Sequence, residues 1–267
     1  MVVELADCNI KWCHSRGCPD DLPHWRRVPG FPVFGVGQPS EAGFSKVSEK
    51  VSKDKCIWFN MRQEPDVYIN GQPVCARPPN KIGEYAELGN ITRDIVKAHE
   101  VEFLKVVEGR KSANGGKLEV VDINKKKSEV EVKELKSLSQ AIEGLKEKYP
   151  GLVHWRIPVC NSAAPKETDF DIICKTLLGT SINTPIIVSD QVGLSRATTA
   201  CVIACLFKEF QISASYEGKH SRYSTGSTFY NSRPDRDCSR SQCCHFEGIK
   251  HPITKIAQSS IMYIIVF

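Results

Sequence analysis

Apolar runs alternate with helix-spaced apolar positions from residue 31 to residue 210. This alternation predicts an α/β domain, with crossover helices covering both faces of a mostly parallel central sheet. Residues 33–36 and the run Cys56-Ile57-Trp58-Phe59-Asn60-Met61 read as strands. Residues 67–69 and 72–75 flank Asn70-Gly71, a pair that accepts the positive φ angles of a tight hairpin turn. Pro73 has no N–H to give a ladder and is expected to keep that hairpin at a sheet edge. Ile91, Ile95, Val96, Phe103, Leu104 and Val107 follow a helical period, and residues 117–132 read as a second hairpin. Leu135, Leu138, Ile142 and Leu145 space one helix face that Tyr149-Pro150-Gly151 ends. A strand over 153–159, a helix face at Phe170, Ile173, Cys174, Leu177 and Leu178, a buried strand over 185–188 and a helix over 197–210 complete the pattern.

The ends differ in texture. Residues 1–30 hold Gly17, Pro19, Pro23, Pro29 and Gly30 and show little periodicity, so they read as an arm or linker. Residues 211–267 are rich in Ser, Arg, Gly and His, and such a segment buries too little to offset its ordering entropy. A poorly ordered C-terminal tail is the expectation there.

Composition narrows the function. Hydrophobic residues make up 41% and charged residues 25%, and no continuous apolar run reaches the roughly 18 residues of a membrane span. No transmembrane segment is expected. The first residues lack the basic start and apolar run of a secretory leader, so a cytoplasmic protein is expected, and its twelve cysteines read as thiols or metal ligands before disulfides. Two four-ligand sets can be drawn, Cys8, Cys13, His14 and Cys18, and Cys238, Cys243, Cys244 and His245. Neither has the paired spacing of a zinc site, so no metal and no cofactor are expected. The net charge of +5 is unevenly spread, +3 of it in residues 211–267 with the body nearly neutral, and Lys125-Lys126-Lys127 lies beside Glu129, Glu131 and Glu134 as a solvated helix approach. No nucleic-acid partner is expected.

The chemistry concentrates in Ser189-Asp190-Gln191-Val192-Gly193-Leu194-Ser195-Arg196, between the strand over 185–188 and the helix that follows. Loop N–H groups, a helix N-terminus and one Arg are an outline for binding an anion. The spacing resembles the cysteine-phosphatase signature Cys-x5-Arg, with Gly193 and Arg196 in their places and Asp190 where the nucleophile stands. The continuation Arg196-Ala-Thr-Thr-Ala200, the stretches over 27–40 and 57–65, and residues 155–165 with Phe170-Asp171 are similar to the paladin family.

That resemblance implies a phosphatase-like fold with a degenerate signature loop. A thiolate is the nucleophile in such enzymes, and Asp190 cannot form the thiophosphate intermediate. Aligning Arg156, Pro158 and Pro165 puts Asn161 where the family has its general-acid Asp, and Asn has no proton to give near neutral pH. An aspartyl-phosphate route would need a second acid two residues on, where Val192 stands. Asp169 and Asp171 read as helix-start residues. Leu194 replaces a loop Lys of the family, which weakens the case for a highly phosphorylated inositol. The expected function is therefore a catalytically inactive binding module for a protein partner, with a phosphorylated protein or an inositol phosphate held weakly. Alternatives are a non-catalytic unit of an active phosphatase and a plain interaction domain. If the loop keeps its phosphatase shape, Arg196 curls back onto Asp190 and the two pair.

Overall fold

The computed structural model describes residues 4–13, 21–51, 55–84, 91–161 and 163–221. The chain divides into two compact units, Met1–Cys205 and Leu206–Phe267. The first unit carries two sheets. Four parallel strands, β10 (Leu152–Val159), β4 (Cys56–Arg62), β11 (Ile186–Ser189) and β3 (Val33–Val36), lie side by side in that order, with β2 (Arg26–Arg27) antiparallel at the edge. This is the mostly parallel sheet expected from the apolar runs; β4 and β11 are buried at every residue.

A second sheet, not foreseen in the sequence pattern, runs in the order β8 (Lys127–Glu131), β7 (Lys117–Val121), β1 (Asn9–Trp12), β6 (Gln72–Arg77), β5 (Asp66–Ile69) and β9 (Leu135–Ser137). Two expectations fail on it. Residues 1–30 are not simply an arm, because β1 lies between β6 and β7 with Ile10 and Trp12 buried. The hairpin of β5 and β6, turned by Asn70 and Gly71 at φ of 51° and 77°, is not at an edge. Pro73 is tolerated inside because it lies one residue beyond the last β1 pairing, Trp12 with Val74, while its carbonyl still accepts the Cys13 N–H at 3.1 Å.

Successive residues of β5 point to opposite faces and so serve two cores. Val67 and Ile69 join Ile10, Trp12, Phe103 and Val107, which come from β1 and from α2 (Arg93–Ala113). Tyr68 turns the other way, toward Phe44 of α1 (Glu41–Val51), Trp58, and Leu138, Ile142 and Leu145 of α3 (Leu138–Lys148). Leu135 is in β9 instead of on the α3 face, since Ser137 caps α3 by accepting the Gln140 N–H. Ile95 and Leu178 are exposed, so the helix faces are narrower than the apolar spacing suggests. Lys125 turns the β7–β8 hairpin at φ 65°, and its neighbour Lys127 pairs across the strands with Glu119 at 2.8 Å, so the lysine run approaches a strand.

α4 (Glu167–Leu178) starts with Asp169 accepting the Lys166 N–H at 2.8 Å, the helix-start role expected of it. α5 (Arg196–Ser221) outruns the expected end at 210; the rest of the predicted tail lies outside the described residues. Arg196–Ser215 is long and apolar enough, at a mean hydropathy of 1.2, to cross a membrane by length and composition alone. Ala197, Ala200, Cys201, Ile203 and Ala204 in its first turns are buried core residues.

Candidate functional site

β11 runs between β3 and β4 in the parallel part of its sheet, and open α/β sheets collect ligands beyond the carboxyl ends of such strands. The loop from Asp190 to Arg196 leaves from that end. Its conformation depends on glycine: Gly193 has φ +91°, and a Cβ there would meet the Gly37 nitrogen at 2.5 Å and the Val36 carbonyl carbon at 2.7 Å. The Gln38 N–H donates to the Gln191 carbonyl at 3.0 Å, and Arg26 donates to the Gly193 carbonyl and to Thr198. Gln191 ties the loop to the other sheet, donating to the Cys13 carbonyl at 3.1 Å and accepting from Arg77 at 2.7 Å. Val192, Leu194 and Ser195 are exposed. Ser189 accepts the Trp58 indole N–H at 2.8 Å.

Asp190 is buried, and its carboxylate faces the loop's own donors. One oxygen accepts the Gly193 N–H; the other accepts the Ala197 N–H at 2.8 Å and the Ser195 hydroxyl at 3.4 Å. A built-in anion therefore sits among N–H groups of the kind that would line a bound phosphate. The expected grip on Arg196 is replaced by another. Arg196 sends Nη1 to Glu64 at 2.9 and 3.2 Å and to the Val159 carbonyl at 2.8 Å. Asp190 spends its oxygens on backbone donors at the helix start, which leaves the orientation of the guanidinium to Glu64.

Glu64 belongs to a buried charge cluster to which sequence reasoning assigned no role. Arg62 lies 2.6 Å from Asp66 and 3.3 Å from Glu64, and Arg156 lies 3.4 Å from Asp66 and 3.3 Å from Glu100. Arg156 also donates to the carbonyls of Arg62 and Glu64 at 2.6 and 2.5 Å. Burial by itself pushes the Glu64 carboxyl up, but the Arg196 and Arg62 guanidinium groups together bring it down to about 2. The available signal was Arg62-x-Glu64-x-Asp66, three charges following a continuous apolar strand, where burial obliges each charge to find a partner.

Asn161 is exposed, two residues after the Val159 carbonyl that Arg196 holds. Position 161 thus lies on a segment tied to the signature arginine. Among the described residues no group of three or more His, Cys, Asp or Glu is placed to hold a metal ion. Cys8 and Cys13 are buried thiols; His14, Cys18 and the set at 238–245 lie outside the described residues.

A model of the PTP-like phytase family, described by the words inositol hexakisphosphate, matches residues 59–208, more than half of the chain. The chain is 26% identical over 194 residues to paladin of Xenopus tropicalis, covering 70% of this chain and 22% of that protein. It is 27% identical over 208 residues to paladin of Gallus gallus, at 72% and 23% coverage, and 25% identical to paladin of Homo sapiens, at 70% and 21%. The resemblance to paladin read from the signature region is thereby borne out, and the chain spans about a fifth of the length of these relatives. Two solved structures share the fold. A PTP-like phytase from Bdellovibrio bacteriovorus superposes with a TM-score of 0.54 at 16% identity, over 72% of this chain and 65% of that one. The PTP-like myo-inositol phosphatase from Mitsuokella multacida, solved with myo-inositol-(1,3,4,5)-tetrakisphosphate, gives 0.53 at 18% identity, over 72% and 35%.

Proposed function

The chain belongs to the PTP-like phytase family, and from that premise we propose that it is a catalytically inactive phosphatase-like domain serving as a regulatory or scaffold binding module. The observation that supports this reading is the Asp190 carboxylate, which stands at the nucleophile position and accepts the Gly193 and Ala197 N–H groups itself. A carboxylate in that place offers no thiolate, and its charge opposes an incoming phosphoryl group. Asn161 at the general-acid position removes the second catalytic role. The module's partner is proposed to be a protein, with phosphoprotein or inositol phosphate binding at the loop kept weak by Asp190.

The test is turnover. Purified protein should release no phosphate above background from an aryl phosphate or from inositol hexakisphosphate. Release that Arg196→Ala abolishes would overturn the proposal. A second reading is supported by chain length: at about a fifth of the paladins it matches, this chain would be a non-catalytic unit beside an active one in a longer protein. Activity of a longer natural form, retained when Arg196 is changed and lost when another unit is changed, would favour that reading.

A further inference from the structure

Away from the signature loop, a cleft of about 90 Å³ opens between α2, α3 and β10. Arg93 and Lys97 of α2, Lys146 of α3 and Arg156 of β10 line it, against the carboxylates Glu100 of α2 and Glu143 of α3. The balance of these groups is positive. Glu100 is already engaged, 3.3 Å from Arg156. Among the described residues no ion pair involves Arg93, Lys97 or Lys146. Arg93 instead lies over the Trp155 ring, its guanidinium carbon 5.2 Å from the ring centre. His154 lines the same cleft, and its Nε2 is buried without a hydrogen-bond partner.

A buried polar nitrogen without a partner costs free energy, and around this one stand Arg93, Lys97 and Lys146, cations that no ion pair engages among the described residues. Both are met at once by an oxyanion in the cleft. We propose that this cleft is a second anion site, taking one tetrahedral oxyanion, either inorganic phosphate or a single phosphoryl group of a small phosphate ester. A tetrahedral dianion presents oxygens in several directions, as cations converging from α2, α3 and β10 require; a planar carboxylate does not. The cleft has room for one such group in place of ordered water. The site does not depend on how the signature loop functions.

His154 supplies the reporter. Its burial, and then the charges of Arg156, Lys146, Arg93 and Lys97, depress its pKa to about 3. Glu100 and Glu143 are the two acidic groups facing it across the cleft. An oxyanion accepting a hydrogen bond from Nε2–H and offsetting Arg93, Lys97 and Lys146 stabilises the charged ring, so binding raises that pKa.

The experiment follows the His154 ring by NMR through a pH titration of the whole chain, with and without sulfate, whose charge stays constant over the range. Calorimetry with inorganic phosphate, phosphoserine and inositol hexakisphosphate accompanies it. Lys97 and Lys146 are exposed, so Lys97→Gln with Lys146→Gln is a variant that should keep the fold, checked by circular dichroism. The expected result is a His154 midpoint raised by about one unit or more by sulfate. Phosphate affinity should be weakened roughly tenfold or more in the double variant. Binding of phosphoserine as well as phosphate marks a site for a phosphoryl group; binding of phosphate alone marks a site for the free ion. Unchanged phosphate affinity in the folded double variant, or a His154 midpoint indifferent to sulfate, overturns the proposal.

Discussion

The signature loop and the α2–α3–β10 cleft are both rich in positive potential, and they handle it in opposite ways. At the loop, Asp190 takes the backbone donors and Glu64 takes Arg196, so the region is neutralised by its own chain. At the cleft, Arg93, Lys97 and Lys146 have no ion-pair partner among the described residues, and His154 Nε2 has no acceptor or donor opposite it. A charge countered from within serves the fold and binds little; an exposed charge without an ion-pair partner costs the fold little and is open to a ligand. The place where the family signature stands is thus not where this chain has most to offer an anion.

The largest effect should come from breaking the neutralised region. Glu64→Gln removes the shared partner of Arg196 and Arg62 while both guanidinium groups stay buried, and breaking a buried pair of this kind costs about 3–5 kcal/mol. Urea unfolding should show that loss as a lower midpoint with an unchanged slope. Lys97→Gln with Lys146→Gln should leave the midpoint nearly where it is. Equal effects of the two changes would dissolve the contrast between the regions.

Acid titration separates them next. Glu64 has a folded pKa of about 2, below its ordinary 4.5, so its contribution is complete above pH 4.5 and is lost as pH falls toward 2, for about 3 kcal/mol in all. His154 is also depressed, from 6.5 to about 3, so the unfolded chain takes the proton first and this group's contribution to stability falls as pH drops from 6.5 toward 3. Both limbs run in the same direction, but only one should respond to an anion. Sulfate in the unfolding buffer should flatten the upper limb and leave the lower one; Glu64→Gln should do the reverse.

The parallel sheet and the loop were legible because each announces itself locally. Residues 56–61 and 185–188 are apolar runs bounded by breakers, and Gly193 and Arg196 keep a fixed spacing within eight residues. The second sheet was not legible for the converse reason. β1 is four residues long, carries Lys11 in its middle, and is held by pairing with β6 more than sixty residues away. Such strands owe their stability to partners rather than to propensity, and β9, three residues from Leu135 to the Ser137 cap, is another. The partner of Arg196 escaped notice in the same way: Glu64 is 132 residues distant, and an acidic residue after a strand looks like an ordinary turn until the strand end is seen to be buried.

A smaller effect tests whether the loop retains its catalytic frame. On the proposed reading, Asp190→Cys with Asn161→Asp supplies a thiol and an acid to a site whose loop has its glycine turn and whose arginine is already oriented by Glu64. Slow but measurable release of phosphate from an aryl phosphate is expected, lost again on reverting either position. Rates stay low, because Leu194 remains. A folded double variant without activity would mean that the loop has departed from the phosphate-binding shape as well as from its chemistry.

The smallest expected effect bears most directly on what Asp190 does. Asp190→Ser removes a charge from the floor of the loop and releases the Gly193 and Ala197 N–H groups, one of which the serine hydroxyl can take back. It does not release Arg196, since the ion pair that orients that side chain is made with Glu64. Phosphate at the loop therefore gains freed donors and relief from repulsion but no newly mobile cation, and the gain in affinity should not exceed about tenfold, or 1.4 kcal/mol. The measurement belongs in the Lys97→Gln, Lys146→Gln background, so that heat from the cleft does not mask heat from the loop. A serine variant that binds phosphate no better than its parent there would show that the loop is no anion site even with its occupant removed, and a plain interaction domain would then be the better description of this region.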